Sequence, residues 1–205
     1  MMVFNFLTSH IQPKDMKDLI ISPNSSFEWL IKKIENEIDF AKKKFSSGIW
    51  IKCNAIVDSK LIEKLYEASN AGVKINLFVR GICCLKPNVI GLSENIIVKS
   101  IIGRFLEHGR IYIFANGGEF QSIKNDVYIS SADMMPRNLY TRVEAYVPLK
   151  NETVRSQILT QVIPALINDT KNSWLLEQTG EYVKLENKLN FCSHSYFMEN
   201  PSLSG

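Results

Sequence analysis

The sequence lacks the features that mark membrane-spanning, secreted and metal-binding proteins. No apolar run reaches the roughly 18 residues of a membrane span, and the N-terminus does not follow the basic, apolar, small-residue order of a signal peptide. The four cysteines (Cys53, Cys83, Cys84 and Cys192) stand at spacings that no common metal motif uses. We interpret them as reduced thiols of a cytoplasmic protein.

The sequence also has little excess charge. The formal net charge is only +3, so composition gives no reason to expect a nucleic-acid partner, although a local anion site remains open. No internal repeat is visible. The 205 residues are enough for one sizeable core. We assign residues 1–186 to a single domain and 187–205 to a flexible tail, where we give His194 no role; His10, near the other end, also receives none.

The apolar spacing of the first half predicts a βαβ unit. A helical stripe from Phe27 to Phe45 precedes a strand at 49–54, and a second helix, capped by Asp58, leads to a strand at 73–79. Strands joined by one helix are parallel, so their carboxyl ends meet at one edge of the sheet. Asn54 and Arg80 stand at these two ends, where open α/β sheets bind ligands.

The second half predicts further strands at 98–101, 111–114, 127–133 and 143–147, followed by a helix over 151–169 with a kink at Pro164. We therefore expect an α/β fold: a mixed, mainly parallel sheet with helices on both faces.

A group of polar residues near His108 suggests phosphoryl chemistry. A histidine acts as a nucleophile toward phosphorus or as a general acid or base, and arginines bind phosphate in a bidentate manner. We expect Arg80, Arg104 and Arg110 to converge on His108. The alternatives are a structural histidine at a strand start and, for Arg104 and Arg110, exposed salt-bridge partners.

Four further residues are supporting candidates. Ser130, Ser131 and Asp133 follow the 127–133 strand, where a strand end with a helix cap is as good an interpretation as a catalytic role. Glu144 is either an orienting partner for a basic group or a plain strand-end charge. We assign no residue to a metal.

The order His-x-basic, strand, Ser-Ser-Ala-Asp, Arg-Asn and Glu resembles one half of the phospholipase D superfamily. Each half of that superfamily donates a His-x-Lys-x4-Asp motif. Here Arg110 replaces the lysine and Ala115 occupies the aspartate position, so phosphodiesterase activity is only an alternative.

The sequence more closely resembles type 1 polyphosphate kinases, whose C-terminal domains have phospholipase-D-like folds. The resemblance runs from Val3 to about Leu185. Its signature runs are 78–87 (FVRGICCLKP), 91–96 (GLSENI), 103–108 (GRFLEH) and 128–133 (YISSAD).

This resemblance implies reversible, ATP-dependent transfer of a terminal phosphate to polyphosphate through a phosphohistidine in a preceding domain. His108 matches the second essential histidine of the family, as a general acid or phosphate stabiliser, and Arg80 matches a nucleotide-binding arginine. The implied ligands are ATP or ADP, polyphosphate and Mg²⁺, with the metal-linked positions outside this chain.

The implied partners are the remaining domains of the same enzyme, with a homo-oligomer left open. The implied location is cytoplasmic or peripheral to the inner membrane. The alternatives are a non-catalytic polyphosphate- or nucleotide-binding module and a dimerising phosphodiesterase. We expect the chain alone to be inactive or nearly so.

Overall fold

The computed structural model describes residues 19–185 and 189–200. Its strands are β1 (Ile20–Ser22), β2 (Gly48–Cys53), β3 (Lys74–Val79), β4 (Ile96–Ile101), β5 (Arg110–Phe114), β6 (Asp126–Ser130), β7 (Glu144–Pro148), β8 (Ser173–Leu176) and β9 (Tyr182–Lys184). Its helices are α1 (Ser26–Lys42), α2 (Ser59–Asn70), α3 (Pro136–Tyr140), α4 (Glu152–Gln157), a π-helix (Ile158–Val162), α5 (Ile163–Asn168) and α6 (Ser193–Glu199).

One sheet contains all nine of these strands, in the order β1-β7-β6-β5-β2-β3-β4-β8-β9. The predicted βαβ unit is confirmed: β2 and β3 are parallel, and α2 connects them. Within α2, the Asp58 side chain accepts a hydrogen bond from Leu61 N, which satisfies one of the free N–H groups of the first turn.

The expectation of a mainly parallel sheet is wrong. Only the β2–β3 and β3–β4 pairs are parallel, and the other six pairs are antiparallel. The physical reason lies in the connections. The helical crossover α2 joins β2 to β3 as parallel neighbours, whereas β5, β6 and β7 are consecutive strands that pair directly with one another as an antiparallel meander.

Helices cover both faces of the sheet, as predicted. Alternate residues of β2 separate into two apolar clusters, with Ile49 and Ile51 on the face of α1 and α2, and Trp50 on the other face. Leu159 and Ile163 pack in the second cluster. Among the described residues, no helix combines the length and apolarity that a bilayer span requires.

The predicted kink at Pro164 corresponds to a π-helical turn immediately before it. Ile163 N donates to Ile158 O, five residues earlier, and Pro164 has no N–H to continue the α-helical pattern. The turn leaves Leu159 and Leu166 buried against the sheet.

The expected tail differs from the structure. Ser193–Glu199 form α6, in which Ser193 and His194 are buried. The polar composition after residue 187 suggested disorder, but the buried Asp169 carboxylate accepts hydrogen bonds from both N and Oγ of Ser193, each at 2.7 Å. The first 18 residues, including His10, and residues 186–188 and 201–205 lie outside the described part of the chain.

Candidate active site

The candidate site lies at the edge of the sheet where β2 and β3 end. Cys53 pairs with Val79 in parallel register, so the next residues, Asn54 and Arg80, leave the sheet side by side. Arg80 Nη2 donates to Asn54 Oδ1 at 2.8 Å. Since β5 is antiparallel to β2, its first residue, Arg110, lies at the same edge. The predicted proximity of Asn54 and Arg80 is confirmed.

Asp133 links these side chains. Met134 N donates to Ala55 O at 3.1 Å, which holds the loop after β6 beside the end of β2. The Asp133 carboxylate accepts Asn54 N at 2.7 Å, Arg110 Nε at 3.1 Å and Arg110 Nη2 at 2.9 Å. The carboxylate is therefore fully used in holding the edge together.

The surroundings of Asp133 and Arg110 favour the charged form of both side chains. Burial opposes ionisation of Asp133, but hydrogen bonds from Arg110 and Asn54 outweigh it and lower the pKa of the carboxyl. The hydrogen bond to Asp133, acting against burial, raises the pKa of the Arg110 guanidinium. Asp133 and Arg110 thus form an ion pair that is retained in the fold.

His108 stands at the exposed end of the same network. Arg110 Nη1 donates to the His108 carbonyl oxygen at 3.0 Å and lies 3.0 Å from Nδ1, while Nη2 lies 3.3 Å from Nε2. Only one ring nitrogen of a neutral imidazole accepts, so the tautomer decides which contact is a hydrogen bond. We call the connected residues His108, Arg110, Asp133, Asn54 and Arg80 the edge network.

Arg104 is not part of the edge network. It is exposed, and its guanidinium carbon lies 5.7 Å from the centre of the Phe105 ring. Of the three arginines expected to converge on His108, only Arg110 contacts it directly. Arg80 is connected to it through Asn54 and Asp133.

The two serines and Glu144 form a separate hydrogen-bonded group. Ser130 Oγ donates to Ala145 O at 2.9 Å, and Ser131 Oγ donates to Glu144 Oε2 at 2.5 Å. Glu144 Oε1 accepts Asn138 Nδ2 at 2.5 Å. Both of these hydrogen-bond donors to Glu144 are neutral groups. The neighbouring helix α3 begins at Pro136 after an N-cap at Met135, so neither serine caps it.

Two charged residues beside His108 were not predicted. Lys52 Nζ lies 3.0 Å from Glu107 Oε2 and donates to Gly109 O at 3.1 Å. Lys52 sits near the end of β2, two positions before Asn54, and Glu107 directly precedes His108. These placements in the sequence were the only available signal.

A cavity of about 380 Å³ opens next to this ion pair. Its lining is mainly apolar and includes Val162, Leu166 and Phe197 together with Lys52, Glu107 and His108. A smaller cleft that contains Arg80 shares Lys52, Glu107 and Leu166 with it. The cavity beside His108 and the cleft beside Arg80 are therefore neighbours that share these three residues.

The described residues, 19–185 and 189–200, contain no group of three or more His, Cys, Asp or Glu side chains that could hold a metal ion. The carboxylates near the site instead accept hydrogen bonds from protein groups, as Asp133 and Glu144 do. Among the described residues, the Asp133 and Glu144 carboxylates are thus already occupied by protein donors.

Known proteins similar to the chain share both its sequence and its fold. A polyphosphate kinase from Erythrobacter litoralis is 50% identical over 204 residues, which cover 99% of this chain and 28% of the relative. The crystal structure of polyphosphate kinase from Porphyromonas gingivalis superposes with a TM-score of 0.90 at 32% identity, covering 97% of this chain and 30% of that one. The chain thus spans less than a third of these two proteins.

A phospholipase D family member from Salmonella typhimurium shares the fold, with a TM-score of 0.52 at 11% identity over 78% of this chain and 96% of that one. Residues 19–193 match the family model described as polyphosphate kinase C-terminal domain 2. The chain therefore belongs to the polyphosphate kinase family.

Proposed function

We propose that this chain supplies one side of the active site of an ATP:polyphosphate phosphotransferase. The observation that carries the proposal is the edge network, which connects His108 to Arg80 in a member of the polyphosphate kinase family. ATP or ADP and polyphosphate are the proposed ligands, and the proposed location is cytoplasmic or peripheral to the inner membrane. The remaining domains of the enzyme are the proposed partner, with a homo-oligomer left open.

The residues divide into ligand-contacting and positioning groups. His108 is exposed and Arg80 is half-buried, so both can meet a phosphate chain. Arg110 has both ends of its guanidinium engaged by Asp133 and His108, and we therefore assign it to orienting His108 rather than to binding phosphate. Arg104 remains a candidate phosphate ligand because its exposed guanidinium lies on the segment that carries His108.

Charge stabilisation is the chemistry that these groups supply. As a phosphoryl group moves between two acceptors, negative charge develops on its oxygens, and fixed cations and hydrogen-bond donors stabilise that charge. Arg80 would bind bidentately, while His108 would donate a hydrogen bond or a proton to a phosphate oxygen. Magnesium would enter as the nucleotide complex, and we assign it no ligand in this chain.

A phospholipase-D-like phosphodiesterase is less well supported. The motif position that holds aspartate in that superfamily is Ala115, which is fully buried in the second apolar cluster. A non-catalytic polyphosphate-binding module shares the same ligand contacts and is distinguished by activity alone.

Calorimetry tests the proposal. The chain is titrated with tripolyphosphate and, separately, with magnesium–ATP, beside the variants Arg80→Ala and His108→Ala. Lys74→Ala is the matched control, because Lys74 is an exposed cation at the opposite end of β3. Loss of one charge-assisted contact should weaken binding about tenfold in either site variant, with Lys74→Ala unchanged.

If binding weakened equally in all three variants, the ligand would be held only by general charge attraction, which would contradict the proposal. Phosphodiester hydrolysis by the chain that disappears in His108→Ala would favour the phosphodiesterase instead.

A further inference from the structure

The segment that carries His108 has little structure of its own. Residues 102–109 form neither helix nor strand, and most of them are exposed. Such a segment needs outside contacts to hold a side chain in one place. Several of these contacts come from His194 on α6 and from the Lys52–Glu107 ion pair.

His194 lies directly beneath the segment. Its side chain is only 2% exposed, and Phe105 N donates to its Nδ1 at 3.3 Å. The two rings also pack, with centroids 5.4 Å apart. At Gly103, an added Cβ would lie 2.6 Å from His194 Nδ1, so the backbone approaches the imidazole as closely as a glycine permits.

The other ring nitrogen faces Glu107. His194 Nε2 lies 3.6 Å from Glu107 Oε1, and the second oxygen of Glu107 lies 3.0 Å from Lys52 Nζ. Lys52 in turn donates to Gly109 O. Both chain neighbours of His108 are therefore held by one connected set of groups.

His194 is itself firmly placed. The residue before it, Ser193, is bound through its N and Oγ to the buried carboxylate of Asp169, whose Oδ1 accepts Asn172 N at 2.9 Å. This anchor joins the start of α6 to the end of α5, so the imidazole is attached to the rigid body of the domain.

We infer that His194 is a positioning residue, which holds the Gly103–Glu107 backbone so that His108 faces the phosphate site. The inference rests on the proposed function of His108. It also specifies a tautomer: because Phe105 N–H is a donor, Nδ1 must be unprotonated, and the neutral ring carries its hydrogen on Nε2, toward Glu107.

The tautomer is measured first, on the unaltered 205-residue chain. A long-range ¹H–¹⁵N correlation spectrum at pH 8 separates a protonated from an unprotonated Nδ1 of His194. The inference requires an unprotonated, hydrogen-bonded Nδ1 and a protonated Nε2. A protonated Nδ1 would overturn it without any variant having to fold.

Three variants then separate positioning from simple packing. His194→Asn retains an acceptor near the Nδ1 position, His194→Leu retains apolar volume without an acceptor, and Met198→Ala alters an exposed residue on the same helix. In the Leu variant we expect Phe105 amide exchange to become about tenfold faster, since one hydrogen bond is lost. The His108 ring signals should also shift.

The Asn variant should restore both readouts to near the unaltered values, and Met198→Ala should change neither. A Leu variant whose Phe105 exchange and His108 signals match those of the unaltered chain would overturn the inference, as would an Asn variant no better than Leu.

Binding of tripolyphosphate separates the two proposals. If the unaltered chain binds it, His194→Leu should bind about tenfold more weakly while Met198→Ala is unaffected. If the unaltered chain does not bind, the proposed function fails for this chain, and the tautomer and exchange measurements still decide the role of His194.

Discussion

Arg110 and Asp133 meet as two parallel hydrogen bonds, Nε to Oδ1 at 3.1 Å and Nη2 to Oδ2 at 2.9 Å, with both side chains largely buried. The pair is a rigid link between His108, which contacts Arg110, and Asn54, which donates to Asp133. The pair is therefore the centre of the edge network, and its removal should affect both stability and ligand binding.

Asp133→Asn should destabilise the fold strongly. The change leaves the buried Arg110 charge without its carboxylate, at a cost of about 3 kcal/mol in the free energy of unfolding. Urea denaturation measures it. The matched control is Asp126→Asn, because Asp126 pairs with Lys33 at 2.6 Å but is 32% exposed, and an exposed pair contributes at most about 1 kcal/mol. Equal losses in the two variants would contradict the central role of Asp133.

The same carboxyl should make the protein sensitive to acid. Its pKa is lower in the folded state than in the unfolded state, so its stabilisation is complete above the ordinary aspartate pKa of about 3.9 and is lost as pH falls through the folded value. From about pH 5 downward, the unaltered chain should lose stability more steeply than Asp133→Asn. The stability of both chains is measured as the urea midpoint at each pH. Urea midpoints that fall in parallel for the two chains would refute this prediction.

Asn54→Ala should weaken phosphate binding through Arg80. The substitution removes the acceptor of Arg80 Nη2 and two side-chain hydrogen bonds to Asp133. Tripolyphosphate binding should fall about tenfold, as expected for the loss of one orienting hydrogen bond. Calorimetry measures it against Asn36→Ala, an exposed asparagine on α1. Unchanged binding would mean that Arg80 needs no support from Asn54.

Glu37 should prove a structural carboxylate far from the phosphate site. It is 1% exposed and accepts Gly48 N at 3.0 Å and Asn116 N at 2.7 Å. Burial raises its pKa, although both hydrogen bonds oppose that rise. Glu37→Ala leaves two backbone donors unpaired and should cost about 3 kcal/mol of unfolding free energy.

The unfolding free energy of Glu37→Gln should lie between those of the unaltered chain and Glu37→Ala. Its one carbonyl oxygen satisfies only one of the two backbone donors. The control is Glu35→Ala, whose exposed carboxylate lies 3.5 Å from Lys64 and should contribute less than about 1 kcal/mol. A loss for Glu37→Ala no larger than that control would be inconsistent with a structural role.

The sequence was sufficient to predict the edge of the sheet that holds the site. Asn54 and Arg80 could be placed together because a βαβ unit has one handedness and one strand direction. The antiparallel half was not predictable in the same way, because strands such as β5 and β6 carry no mark of their neighbour's direction. Their pairing depends on the whole sheet.

The missed contacts all join residues distant in sequence. Phe105 and His194 are separated by 89 residues, and the polar composition around His194 resembles that of a flexible end. Only the three-dimensional packing of α6 against α5 brings that imidazole beneath the segment that carries His108. Similarly, the role of Arg110 depended on the position of Asp133, which periodicity does not determine.

The central claim is that His108 and Arg80 both line one phosphate site. A crystal structure of the chain with tripolyphosphate tests it most directly. The account predicts phosphate oxygens within hydrogen-bond distance of both the His108 ring and the Arg80 guanidinium, with the Arg110–Asp133 pair intact. Tripolyphosphate bound instead at the exposed Lys42–Lys44 run, with His108 and Arg80 free of it, would contradict the account.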